Sequence, residues 1–141
     1  MISNTLSIVV TVHNEESRLP DCLKRLQFGD ELIVVLDRCI DQSKQISEDL
    51  GALIVEGAWE REGDRRNAAI EACSKDWILE IDADEHVSGQ LADEIREVIV
   101  STEFDWHEIP VDNYIGERLV RYGWGGYFGK AAYPGLFRNG T

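Results

Sequence analysis

Two aspartates one residue apart, Asp82 and Asp84, are the strongest chemical signal in the sequence. They follow an apolar segment, residues 77–81, that has the composition of a buried strand. Carboxylates at the end of such a strand can point towards one divalent cation, and hard oxygen ligands suit Mg²⁺ or Mn²⁺. A turn with helix-capping acids is the alternative. The position directly after the strand favours the metal site.

Further polar residues follow other apolar segments. Asp37 comes directly after residues 34–36, where its carboxylate could accept a hydrogen bond from a nucleobase N–H or a ribose hydroxyl, or could simply serve a turn. Arg65 and Arg66 lie near a predicted helix N-terminus, which already favours anions. Two guanidinium groups there could add charge-assisted hydrogen bonds to a diphosphate. The alternative for at least one of them is a solvated surface arginine.

Strands and helices alternate through the first hundred residues, and this order determines where the polar residues lie. Apolar runs predict strands at residues 6–12, 31–36, 52–56 and 77–81. Helical spacing predicts helices near residues 16–27, 41–50, 64–74 and 89–100. Asn14 or Ser17 could cap the first helix, and Gly51 ends the second.

This alternation predicts an α/β fold with an open, doubly wound, mostly parallel sheet, covered by helices on both faces. In such sheets ligands bind beyond the carboxyl ends of the strands. The polar residues at the strand ends should therefore face one crevice. The alternation stops in the last part of the chain, which is rich in glycine and aromatic residues and predicts strands and loops, with a hairpin across the end of the sheet.

Composition excludes several classes of protein. The 141 residues carry a formal net charge of −13, and residues 76–117 hold 13 acids and one base, which argues against nucleic-acid binding. Three cysteines without a CxxC pair argue against a disulfide scaffold or a zinc ribbon.

The longest apolar run has five residues and the N-terminus lacks a secretory signal, so a cytoplasmic or cytosol-facing protein is expected. GxGxxG, phosphate-loop and GxSxG motifs are absent from the sequence.

Four segments together resemble the family 2 glycosyltransferases of the GT-A fold, with the bacterial cell-surface and lipopolysaccharide-core branch most similar. They are VVTVHNEE at 9–16, VVLDRCIDQS at 34–43, GDRRNA at 63–68 and DWILEIDADE at 76–85. The resemblance implies an enzyme that takes a sugar from a nucleotide-diphosphate donor, with Mg²⁺ or Mn²⁺, and inverts the anomeric carbon. The acceptor would be a glycan or a lipid-linked molecule, which would place the protein in the cytoplasm or at the inner face of the membrane.

The resemblance also assigns roles to individual residues. Val12, Asn14, Glu15 and Asp37 would flank the nucleoside, and Arg66 would lie near the diphosphate. The family's DxD motif corresponds to Asp82 and Asp84, so both would bind the metal and Asp82 would also contact the donor. Residues 38–40 depart from the small Gly/Ser residues common in relatives.

The resemblance further predicts one domain with two parts. Residues 1–113 would form the nucleotide-sugar-binding core, and residues 114–141 would begin an acceptor-side segment that is incomplete. The carboxylate that deprotonates the acceptor is expected beyond Thr141, so slow transfer and self-association through the exposed C-terminal part are expected for this chain. Two alternatives stay open: a non-catalytic module that binds a nucleotide sugar or a protein, and a nucleotidyltransferase, which the acidic loop at residues 13–16 disfavours.

Overall fold

This computed structural model describes residues 4–83, 85–110 and 132–140. These residues contain six strands and four helices. The strands are β1 (Leu6–Val12), β2 (Glu31–Asp37), β3 (Leu53–Gly57), β4 (Trp77–Asp82), β5 (Trp106–Pro110) and β6 (Ala132–Arg138). The helices are α1 (Leu19–Lys24), α2 (Ser43–Asp49), α3 (Glu62–Ala72) and α4 (Gly89–Ser101).

The strands form one mixed sheet in the order β3-β2-β1-β4-β6-β5. The strands β3, β2, β1 and β4 are parallel to one another. In the middle of this group, Val10 of β1 pairs with Val34 of β2 on one side and with Ile81 of β4 on the other. Strand β6 runs antiparallel to both β4 and β5. The predicted α/β fold with a mostly parallel sheet is therefore confirmed, and the carboxyl ends of β1, β2 and β4 meet at one edge.

Each face of the sheet buries a separate apolar cluster. Helices α1 and α4 pack on one face, over alternate residues of β1 and β4 such as Ile8, Val10 and Leu79. Helix α3 lies on the other face, where Ala69 packs with Val9 and with residues of β2, β4 and β6. Neighbouring residues of one strand point to opposite faces, so this division follows from the pleat.

Helix α4 has the cap and the buried apolar face that an amphipathic helix requires. Ser88 caps it by accepting a hydrogen bond from the Leu91 amide at 3.1 Å. The apolar residues predicted to face inward are all buried: Leu91, Ile95, Val98 and Ile99. None of the helices in residues 4–83 and 85–110 is both long and apolar enough to cross a membrane.

One predicted detail differs from the structure. Helix α1 begins at Leu19, and neither Asn14 nor Ser17 caps it; the Asn14 side chain instead accepts a hydrogen bond from the Ile40 amide. Strand β6 lies within the sheet between β4 and β5, while the other residues of the segment predicted to form a hairpin are not among the described ones. The aromatic segment at residues 122–129 lies outside the described residues.

Gly51 ends α2 in the left-handed region, with φ of +83°. Nothing lies within 4 Å of a Cβ built there, so a side chain would cause backbone strain without a steric clash. We expect Gly51→Ala to lower the free energy of unfolding by about 1 kcal/mol. Gly89→Ala is the matched control, because Gly89 is helical and equally open, and alanine there should be neutral or stabilising. Urea unfolding of both variants tests this, and equal midpoints would contradict it.

Candidate functional site

The loops that follow β1 and β2 are joined by reciprocal hydrogen bonds. His13 Nδ1 lies 2.7 Å from the Asp37 carbonyl oxygen, and the Ile40 amide donates to Asn14 Oδ1 at 2.8 Å. Further along, the Glu16 amide donates to Asp41 Oδ2 at 3.1 Å. These contacts hold the two strand exits side by side, as the parallel pairing of β1 and β2 predicts.

Both loops contain a non-glycine residue in the left-handed region. Asn14 has a φ of +50° and Arg38 a φ of +52°. Such conformations are uncommon for residues with a side chain and concentrate at functional sites. Here each of them turns the chain sharply just beyond the carboxyl end of a strand, where a ligand site is expected in this type of sheet.

Asp37 is the most buried charged residue of this region, with 1% of its surface exposed. Its carboxylate accepts hydrogen bonds from Arg38 Nε at 3.0 Å, from Arg65 Nη1 at 3.1 Å and from the Trp59 amide at 3.4 Å. Burial by itself raises the pKa of Asp37, but these hydrogen bonds together outweigh it and hold that pKa below its ordinary value. Asp37 is thus a charged anchor that fixes Arg65 of α3 against β2.

Arg66 contacts β4, which is separated from β2 by β1 in the sheet. Its Nε donates to both carboxylate oxygens of Glu80, at 2.9 and 3.2 Å, and its Nη2 donates to Oε1 at 2.9 Å. The guanidinium carbon also lies 5.6 Å from the centre of the Phe137 ring. Glu80 raises the pKa of Arg66, and the hydrogen bond is the largest cause. Adjacent helix residues point about 100° apart, which is why α3 offers one arginine to β2 and the next to β4.

A cleft of about 460 Å³ lies between α3 and the carboxyl ends of β1 and β4. It is lined by Val9, Thr11, Glu62, Arg65, Arg66, Glu80, Ile81 and Asp82. Its volume falls in the range of small-molecule sites. Two cationic and three anionic side chains share its wall, and Asp37, which is not part of the lining, also pairs with Arg65.

Asp82 stands at the mouth of this cleft, where β4 ends. Its amide donates to Glu85 Oε1 at 2.8 Å, and its carbonyl accepts from the Glu85 amide at 2.9 Å. This reciprocal pair fixes the turn that begins the DxD segment. Asp84 lies outside the described residues. The described residues contain no group of three side chains that could hold a metal ion, so the predicted two-aspartate ligand set stays a prediction.

The structure brings most of the predicted site residues to this edge of the sheet. Val12 is buried at the end of β1, and Asn14 binds the second loop. The Glu15 carbonyl accepts hydrogen bonds from the amides of Arg18 and Leu19 at the start of α1. Arg66 and Asp82 line the same cleft. The roles that the resemblance assigns to these residues stay predictions.

Glu80 was not predicted as a site residue. A signal for it exists in the sequence: strand side chains alternate, so Glu80 must share a face with Asp82. A charged residue in the middle of an otherwise apolar strand, residues 77–81, also needs a partner of opposite charge. The partner, Arg66, could not be identified without the packing of α3.

Comparison with known proteins identifies the class to which this chain and its fold belong. The sheet and its helices are those of the GT-A fold of glycosyltransferases. The family described as "Glycosyl transferase family 2" matches residues 7–123. This chain belongs to that family.

Curated relatives agree with the family. The chain is 33% identical over 106 residues to an uncharacterized glycosyltransferase of Rickettsia bellii, covering 74% of this chain and 36% of the relative. It is 34% identical over 97 residues to one of Rickettsia felis, covering 68% of this chain and 34% of the relative. The chain therefore spans about a third of the length of these relatives.

Two solved structures share the fold. Glucosyl-3-phosphoglycerate synthase from Mycobacterium tuberculosis, crystallised with Mn²⁺, UDP and phosphoglyceric acid, superposes with a TM-score of 0.61 at 21% identity, covering 74% of this chain and 42% of that one. TarS 1-349 of S. aureus gives a TM-score of 0.56 at 23% identity, covering 67% and 32%. At these identities the likeness concerns the fold alone.

Proposed function

We propose that this chain forms the donor-binding part of a glycosyltransferase that uses a nucleotide-diphosphate sugar. The observation that carries the proposal is the cleft at the carboxyl ends of β1 and β4, with two arginines of α3 on one side and Asp82 on the other. In open parallel sheets this edge is the ligand side. Membership of glycosyl transferase family 2 gives the class of reaction.

The nucleoside would lie over the joined loops after β1 and β2. Val12, Asn14 and Glu15 form the floor and first loop, and the backbone there is held by contacts from Asn14 to Ile40 and from His13 to Asp37. The Asp37 carboxylate is buried and already accepts hydrogen bonds from Arg38 and Arg65, so we infer that the exposed Arg38 side chain turns away when a ribose or base binds to Asp37.

The diphosphate would lie in the cleft beside Arg65 and Arg66. Arg65 is held in place by buried Asp37, which fixes a positive charge near the start of the cleft. Arg66 is half-exposed and can turn towards a ligand. Guanidinium groups bind phosphates through paired hydrogen bonds, so the two side chains match this part of a donor.

A divalent cation would bind on the Asp82 side of the cleft. Asp82 faces it, and Asp84 follows two residues later, so Asp82 and Asp84 would hold Mg²⁺ or Mn²⁺ through hard oxygen ligands. When bound, the metal supplies Lewis-acid stabilisation of the departing diphosphate. The residues of this chain would bind the donor, and Arg65 and Arg66 would orient its diphosphate. Glu85 would hold the turn after β4 in place through its hydrogen bond with the Asp82 amide.

For the reaction we propose direct displacement at the anomeric carbon with inversion, and a glycan or lipid-linked acceptor of the cell envelope. The mechanism and the acceptor class follow from the family resemblance. The chain spans about a third of its relatives, so we place the acceptor side and the catalytic base of the whole protein in the remaining part.

Titration calorimetry with UDP and GDP, with and without Mn²⁺ or Mg²⁺, tests the donor site. One of the two nucleotides is expected to bind at least about tenfold more tightly with metal, because a cation held by Asp82 and Asp84 would offset the negative charge of the diphosphate. Arg66→Ala should weaken this binding. Arg25→Ala is the matched control, since Arg25 pairs with Asp21 on α1 away from the cleft. Absence of binding, or affinity independent of metal, would contradict the proposal.

A further inference from the structure

Glu80 occupies an unusual position in the cleft. Ile78, Glu80 and Asp82 alternate along β4 on the side that faces α3. Ile78 is buried beneath α3, and Asp82 stands at the mouth of the cleft. Glu80 lies between them, so its carboxylate is inside the cleft, one pleat deeper than the proposed metal ligand.

The contact between Glu80 and Arg66 uses the edge of the guanidinium that a phosphate would use. Nε and Nη2 both donate to the carboxylate, and the distances are 2.9 to 3.2 Å. A phosphate bound side-on to the guanidinium would use the same pair of parallel N–H groups. As long as Glu80 holds this edge, Arg66 cannot offer it to a ligand.

The two arginines of the cleft differ in how readily they can change partner. Arg65 pairs with Asp37, which is 1% exposed, and loss of that partner would leave a carboxylate buried. Arg66 and Glu80 are 51% and 21% exposed at their side chains, so water reaches both groups. Arg66 can therefore leave Glu80 without leaving either charge buried away from water, in contrast to Arg65 and Asp37.

We propose that Glu80 competes with the donor diphosphate for Arg66 and thereby lowers the affinity of the cleft for nucleoside diphosphates. This inference rests on the proposed function, because it assumes that the diphosphate lies beside Arg66. When the ligand enters, Arg66 turns from Glu80 to the phosphate oxygens. When the nucleoside diphosphate product leaves, Glu80 takes the guanidinium back, which favours release.

Glu80→Gln isolates this effect. The amide oxygen of glutamine can still accept a hydrogen bond from Arg66, so the orientation of the guanidinium is retained while the competing charge is removed. Glu62→Gln is the matched control, because Glu62 lines the same cleft but its side chain is 87% exposed and lies 3.9 Å from Arg65. It removes an equal charge without freeing Arg66.

The experiment measures the affinity for UDP with Mn²⁺, and for inorganic pyrophosphate with Mg²⁺, by titration calorimetry. Glu80→Gln is expected to bind both probes about threefold to tenfold more tightly than the unmodified chain. Glu62→Gln should change the affinity less than about twofold. In an Arg66→Ala background the gain from Glu80→Gln should fall to that of the control.

Each outcome is decisive. Unchanged or weaker binding by Glu80→Gln, with UDP still bound by the unmodified chain, would mean that Glu80 positions Arg66 and does not compete for it. A gain in affinity equal to that of Glu62→Gln would mean that only the net charge of the cleft matters, which would also overturn the inference. Glu80→Ala provides the same test if the glutamine variant does not fold. If neither chain binds UDP or pyrophosphate, the proposed function fails and this inference fails with it.

Discussion

Replacing Asp84 by asparagine is expected to remove the metal-dependent part of UDP binding, and Asp82→Asn is expected to do the same. An amide keeps the size of the side chain but lacks the charge that a hard divalent cation requires. The affinity measured with Mn²⁺ should fall by about 10²-fold, towards the value measured without metal. Calorimetric titration of each variant, with and without Mn²⁺, gives this difference directly.

Folding should be unaffected by these substitutions. Asp82 is exposed at the end of β4, and its amide and carbonyl make the hydrogen bonds with Glu85 that fix the turn. Exposed substitutions usually change stability within about ±0.5 kcal/mol. Asp93→Asn, on the exposed side of α4, is the matched control and should leave both binding and stability unchanged. A variant that unfolds, or that binds UDP and metal as before, would assign these aspartates a structural role.

The parallel part of the fold follows directly from the sequence. The predicted strand at residues 6–12 agrees with β1, and the other three strands differ by no more than one residue at either end. Runs of β-branched residues buried on both faces make such strands easy to recognise. Gly51 ends α2 as predicted, because its left-handed conformation is one that glycine adopts without strain.

The elements that were not predicted depend on tertiary contacts. Asn14 is a good helix cap by residue type, but the neighbouring loop offers the Ile40 amide to the same side chain. Helix α1 therefore begins later, at Leu19, with Pro20 in its first turn. The insertion of β6 between β4 and β5 joins segments distant in sequence, which local propensity cannot reveal.

In the candidate site, too, the sequence predicts the location of the residues but not their contacts. Sequence position places Asp37, Arg65 and Arg66 near one edge of the sheet. It does not say which arginine meets which acid, because this depends on the rotation of α3 about its axis. The structure settles the pairing as Arg65 with Asp37 and Arg66 with Glu80, and this pairing is what distinguishes a fixed charge from an exchangeable one.

Asp37→Asn is expected to lower the free energy of unfolding at pH 7 by about 2 to 3 kcal/mol. The carboxylate is buried and accepts hydrogen bonds from Arg38, Arg65 and the Trp59 amide, and asparagine can replace neither its charge nor all of these contacts. The loss is smaller than for a fully buried ion pair, because the two arginines can regain water. Asp49→Asn, on the exposed end of α2, should change stability little.

The pH dependence of that difference identifies the charge as its cause. The pKa of Asp37 is lower in the folded chain than its ordinary value of 3.8, so the unfolded chain binds the proton more readily. The stabilisation by Asp37 is therefore complete above about pH 5 and is lost as the pH falls through the folded pKa. Asp30, Glu31 and Asp41 also have lowered pKa values, so both proteins should lose stability in acid. Since those groups are common to both, the difference in unfolding free energy between the unmodified chain and Asp37→Asn should shrink below about pH 4. Urea unfolding from pH 7 to pH 3 measures it, and a difference that stays constant over this range would show that Asp37 acts by shape and hydrogen bonding, without its charge.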